Sequence, residues 1–250
     1  MLLVIDSRKR TFGTSTDFLI ALGTSFKEKQ HVKLVSAYVP NTIYNITSAN
    51  NKITVLVEDT PDEYNSYVAT ITPGKYSISS ITSALKTALD AAGATEGITF
   101  NISIDVTTFK CTITASASCK LSFVGNDSPY LELGFEQQET SDTTTHVGSN
   151  TVQLNRPTVV YIKIDEFKPI EEHIHLAGGV GGYYYPTFVL PLANSGGDIG
   201  VFREASDYKQ GVCLSSPAYG NLHVRLTDDV GTVIDLNGAD WSFVLEVCFA

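Results

Sequence analysis

The strongest constraint in this sequence is a period of two. Ile98, Phe100, Ile102, Ile104 and Val106 alternate with Thr99, Asn101, Ser103 and Asp105. Cys111, Ile113 and Ala115 alternate with Lys110, Thr112 and Thr114. Leu222, Val224 and Leu226 alternate with His223, Arg225 and Thr227, and Trp241, Phe243, Leu245 and Val247 with Ser242, Val244 and Glu246. Successive side chains of a strand point to opposite faces, so each run describes a strand with one face on a core. Further β-rich runs cover 17–22, 33–39, 52–58, 66–72, 158–164 and 187–192. They are bounded by turn chemistry such as Pro40-Asn41, Asn50-Asn51, Pro73-Gly74 and Asp228-Asp229-Val230-Gly231. Many short strands with polar turns predict an all-β sandwich or barrel.

One segment breaks the pattern. Ile81, Ala84, Leu85, Ala88 and Leu89 follow helical spacing. A helix is predicted over 79–92, with Ser79 as N-cap, Gly93 as stop, and its apolar stripe against one end of the sandwich. A second short helix or turn is expected near 129–133. Residues 136–151 and 176–212 read as irregular, the second being rich in Gly and Tyr. No linker divides the chain, and 250 residues are compatible with one all-β domain.

No apolar run reaches the roughly 18–20 residues of a membrane-spanning helix, so no membrane span is expected. Met1–Asp6 is too short an apolar start for a signal peptide, and intracellular synthesis is expected. The four cysteines form no CxxC pair and read as thiols. Formal charge is -10, which argues against a nucleic-acid-binding surface over the whole molecule. Residues 1–35 differ, with six basic and three acidic side chains. Arg8-Lys9-Arg10 is therefore the one tract that favours a polyanion.

Candidate chemistry is sparse. His173 and His175 are two apart, so on a strand both imidazoles face one side and could share a metal ion. A cupin-type site also needs a nearby glutamate and a third histidine; residues 176–182 hold no acid, and later only His223 is available. Gly178-Gly179-Val180-Gly181-Gly182 lacks the Lys-Ser/Thr of a phosphate loop. No GxSxG elbow occurs. Glu171-Glu172 and Asp228-Asp229 are adjacent pairs, which on a strand point to opposite faces. Tyr183, Tyr184 and Tyr185 form an aromatic cluster suited to protein or sugar contact.

Several segments together resemble one family. Ile5-Asp6-Ser7-Arg8-Lys9-Arg10 with Gly13-Thr14-Ser15-Thr16-Asp17-Phe18 is similar to the opening of penton-like minor capsid proteins of the adenovirus-like double-stranded DNA virus lineage, found in virophages, polinton-like elements and large DNA viruses. Val32–Ile46, Ile71-Thr72-Pro73-Gly74-Lys75-Tyr76 with the following helix, Leu133-Gly134-Phe135, and Val224–Leu245 match further elements in order. The segment 173–212 matches none. The resemblance implies a single jelly-roll β-sandwich of two four-stranded sheets spanning 1–250, with 1–16 as an N-terminal arm and 173–212 as an insertion. It implies a homopentamer closing the fivefold vertex of a virion, surrounded by a double-jelly-roll major capsid protein and other minor capsid proteins. No catalytic residue, cofactor or metal is implied. Arg8, Lys9, Arg10, Tyr183, Tyr184 and Tyr185 are the interface candidates. The basic arm would lie nearest the packaged DNA, and removing residues 1–10 should leave the fold intact. The alternatives are a receptor- or carbohydrate-binding β-sandwich of the fibre-head type, motivated by the tyrosines, and a cupin-like metal-binding protein, motivated by His173 and His175.

Overall fold

The computed structural model describes residues 1–27, 30–155, 157–167, 176–178, 182–184, 186–192, 199–203, 211–214 and 218–248. In chain order the elements begin with β1 (Leu2–Asp6), β2 (Phe12–Gly13), β3 (Asp17–Phe26), β4 (His31–Pro40), β5 (Lys52–Thr60) and β6 (Glu63–Thr70). Helix α1 (Ile78–Gly93), β7 (Phe100–Ile104), β8 (Cys111–Ser122), helix α2 (Tyr130–Leu133), β9 (Thr143–Val147) and β10 (Val159–Ile164) follow. The remainder holds β11 (Leu176–Gly178), β12 (Gly182–Tyr184), β13 (Phe188–Pro191), β14 (Ile199–Arg203), β15 (Gly211–Cys213), β16 (Ala218–Thr227) and β17 (Ser242–Cys248). The protein is mostly β-sheet with few helices, as the alternation predicts.

The chain forms two compact units, Met1–Ile43 with Pro157–Ala250, and Tyr44–Arg156. In the first, one sheet has the order β1-β17-β4-β14, with β15 also on β4, and the other β13-β10-β16-β3-β2. All these pairs are antiparallel. Leaving aside the short β2 and β15, two four-stranded sheets remain, with the strand order of a jelly roll. Their inner faces share one core that includes Ile5, Phe18, Leu34, Ile162, Phe188, Leu222, Trp241 and Phe243. Trp241 stacks on Phe243 at 5.1 Å and meets Phe18 edge-on at 6.2 Å, which joins the two sheets.

The second unit has its own core. A sheet ordered β6-β5-β8-β7, with β9 also on β8, buries Ile53, Val55, Ile113 and Leu121 against Ile81, Leu85 and Leu89 of α1. The N-cap is Ser77, not Ser79: its hydroxyl accepts from the Ser80 N–H at 3.2 Å, and the Ser80 hydroxyl accepts from the Ser77 N–H at 2.9 Å. Gly93 does not stop the helix in the expected way either. It remains helical, and a Cβ there would lie 2.6 Å from the Ile98 carbonyl oxygen, so glycine is required by close packing. The left-handed residue is Gly97, at φ 66.

Several further expectations differ from the structure. The jelly-roll strands are split by 44–156, and the helix belongs to that inserted unit. The segment 173–212, expected as an insertion, supplies β13 and β14, both strands of the sandwich. The 136–151 stretch, expected as irregular, holds β9, whose Thr143–Val147 pairs with β8. Polar Thr-rich strands are missed because hydrogen bonding to one neighbour, not an apolar face, holds them. The segment 1–16 is not a detached arm: β1 pairs with β17 from Leu2↔Glu246 to Asp6↔Ser242, and Ile5 is fully buried. Removing residues 1–10 therefore removes a strand and part of the core. Val106 ends its run in solvent, two residues beyond the end of β7.

Candidate functional site

The basic tract sits where the chain leaves β1. Asp6 caps a 3-10 turn over Ser7–Lys9 by accepting from the Arg8 backbone N–H at 2.9 Å. The Arg8 guanidinium grips the same carboxylate at 2.6 Å and holds Asp6 below the usual carboxylate range. Arg10 donates to Asp240 at 2.9 Å and to the Ser7 carbonyl at 2.7 Å. The Ser7 hydroxyl donates to Asp240 at 2.7 Å and accepts from the Trp241 N–H at 3.0 Å. Trp241 in turn donates its indole N–H to the Ser15 carbonyl at 2.7 Å. Two of the three basic side chains are thus committed to carboxylates of their own unit. Exposed pairs of this kind contribute little stability, and they offset part of the positive charge that the tract presents.

Tyr183 and Tyr184 lie on β12, paired with β11 through Ala177↔Tyr183 and Leu176↔Tyr184. Tyr185, His173, His175 and Glu171-Glu172 fall outside the described residues. Asp228 heads a turn, accepting from the Val230 and Thr232 N–H groups at 3.0 and 2.8 Å.

Two polar constellations were not legible in the sequence. His223 on β16 has Nε2 at 2.5 Å from Asp17 of β3 and Nδ1 at 2.8 Å from Asp165. Asp165 also accepts from Arg225 at 2.5 Å, and Glu166 accepts from the His223 backbone N–H at 2.8 Å. Both imidazole contacts are hydrogen bonds only when both ring nitrogens carry protons. The cluster ties β3 and β16 to the turn that follows β10, and its members are far apart in sequence, so no local pattern signals it. In the second unit, Cys119 Sγ lies 3.8 Å from His146 Nε2. This is no thiolate–imidazolium pair: burial pushes the Cys119 thiol up to about 11 and holds His146 below its ordinary value. Among the described residues no group of three or more His, Cys, Asp or Glu could hold a metal ion. No disulfide joins the four cysteines.

The outer faces of the jelly-roll unit differ in kind. The β13-β10-β16-β3 sheet presents Lys163, His223, Arg225 and Asp17. The β1-β17-β4-β14 sheet presents Leu2, Val4, Val244, Tyr38, Val201 and Ile199, five of them exposed and Val244 half-buried. They form neighbouring rows, Val4↔Val244↔Ser36 and Ser242↔Tyr38↔Val201. At the end of this face a groove of about 190 Å³ is lined by Tyr38, Pro40, Ile199 and Trp241 together with the polar Asp6, Arg8, Asp240 and Ser242. An antiparallel sheet facing water is ordinarily polar on that side; here exposed apolar side chains suited to contact share the face with Asp6, Ser36, Arg203, Ser242 and Glu246. The signal was present in the sequence at Leu2-Leu3-Val4-Ile5 and Phe243-Val244-Leu245, where apolar residues occupy both phases of the alternation.

Residues 1–169 match a family of unknown function (DUF5901), and the chain belongs to that family. Among curated proteins, none matches the sequence. The fold is similar to the crystal structure of the mavirus penton protein, with a TM-score of 0.56 at 10% identity, over 99% of this chain and 97% of that one. The likeness extends over both units and shows that the two proteins share a fold.

Proposed function

We propose that this protein is a structural component of a viral capsid, a penton that assembles as a homopentamer at the fivefold vertices of a virion. The observation that carries the reading is the end-to-end fold likeness to a virophage penton protein. A jelly roll interrupted by a second unit between β4 and β10 would have to be matched in both parts for that coverage. The exposed apolar side chains Leu2, Val4, Tyr38, Ile199 and Val201 on one outer sheet face support the reading, because a capsid subunit needs surfaces for its neighbours to cover. The neighbours in this reading are further copies of the chain and a double-jelly-roll major capsid protein. In the described residues the polar clusters are paired internally and hold strands together, which suits a structural role.

The test is oligomeric state and position. Sedimentation velocity of the purified full chain should give a species of five times the 27.1 kDa chain mass. A density map of the particle should place it on the fivefold axes. A stable monomer or trimer at high concentration, together with absence from the vertices, would overturn the reading.

A further inference from the structure

The jelly-roll unit carries a rigid aromatic knob that its own fold does not use. Phe12 is 76% exposed. It lies opposite Leu19 of β3, whose side chain alternates with the buried Phe18 and Ile20, so Phe12 stands on the outer side of the β13-β10-β16-β3 sheet. The hairpin that presents it is fixed on both sides. Thr11 N–H donates to the Leu19 carbonyl at 2.8 Å, and Thr14 N–H to the Asp17 carbonyl at 2.8 Å. Gly13, between them, has φ +98, and a Cβ there would lie 2.2 Å from the Asp17 carbonyl oxygen. A preorganised, exposed aromatic loses little conformational freedom on binding, and phenylalanine is among the residues enriched at interfaces.

The groove walled by Tyr38, Pro40 and Ile199 lies on the opposite outer face of the same sandwich. Its volume, about 190 Å³, is that of roughly six waters, the scale of one aromatic side chain. The rest of its lining is Trp241 and the polar Asp6, Arg8, Asp240 and Ser242. An isologous contact needs one patch that is complementary to itself. A knob on one face and a hole on the opposite face instead define a heterologous contact, the kind that closes into a ring when the rotation permits.

We infer that Phe12 of one copy seats in the Tyr38–Pro40–Ile199 groove of the next, and that this contact holds the ring together. The inference rests on the penton reading and names the contact between copies. It is tested on the full chain by comparing wild type with Phe12→Asp and Ile199→Asp. Both positions are exposed, so thermal unfolding followed by circular dichroism should not change. Each variant should raise the concentration at which the ring dissociates by about tenfold or more. A photoreactive phenylalanine at position 12, in mixed isotope-light and isotope-heavy protein, should cross-link to peptides containing Tyr38 or Ile199 of the other isotope. Variants that stay pentameric, or cross-links only elsewhere, would overturn the contact and leave the penton reading standing. A Phe12-dependent ring of another size would support the contact and overturn the penton. A wild-type chain that is monomeric at every concentration would overturn the contact, and with absence from the fivefold vertices it would overturn the penton reading as well.

Discussion

The burial of Ile5 makes β1 a structural strand, and a pair of neighbouring substitutions tests this. Ile5 is 0% exposed in the core shared by both sheets, while Val4, one residue earlier on the same strand, is 64% exposed. Truncating a buried isoleucine to alanine costs about 2–5 kcal/mol through lost transfer energy and the cavity left behind. Truncating an exposed valine changes stability by about 0.5 kcal/mol or less. Trp241 is the sole tryptophan and is buried beside Phe18 and Phe243, so its emission follows the jelly-roll unit alone. Taking about 3 kcal/mol for Ile5→Ala and a urea slope of about 2 kcal/mol/M, the fluorescence midpoint should fall by ~1.5 M. Val4→Ala should move it by no more than ~0.3 M. Equal midpoints for the two variants would refute the placement of β1 in the core, and so would a Δ1–6 chain that unfolds like wild type.

The second unit offers two further tests. Gly93→Ala must push a Cβ against the Ile98 carbonyl and should destabilise this unit by roughly 1–3 kcal/mol, seen by far-ultraviolet circular dichroism but not by tryptophan fluorescence; an unchanged circular-dichroism transition would count against the close packing of α1. Burial pushes the Cys111 thiol up to about 12 and that of Cys119 up to about 11. Both therefore stay protonated and shielded through pH 9, and iodoacetamide should modify them only after denaturant is added, as read by peptide mass spectrometry; rapid native labelling of either would contradict their burial.

Much of the fold was legible because one physical rule dominates it. A strand with one face on a core must alternate, and β8, β16 and β17 do so in the sequence and in the structure. The capped helix was legible for the same kind of reason, with its buried positions spaced at three and four. What was not legible shares a cause too. Ser77 and Ser79 are equivalent as caps until the backbone shows which hydroxyl meets an N–H, and Thr143–Val147 is a strand because β8 lies beside it. The candidate site was less legible. Arg8, Lys9 and Arg10 form a basic run in the sequence, yet Arg8 and Arg10 are bound to Asp6 and Asp240, the second 230 residues away.

Alternation and turn chemistry alone determined that this chain is an all-β protein without the spacing of a known catalytic motif. Those properties are local: they follow from the two-residue period of a strand and the conformational demands of a turn. Only the tertiary structure decided that 44–156 is a second unit with its own core and that 173–212 contributes strands to the sandwich. It alone showed that Leu2, Val4, Tyr38, Ile199 and Val201 share one outer face. Those are matters of strand order, which depends on contacts between residues far apart in the chain. The period of a strand says which residues share a face, but only its neighbours decide what that face meets.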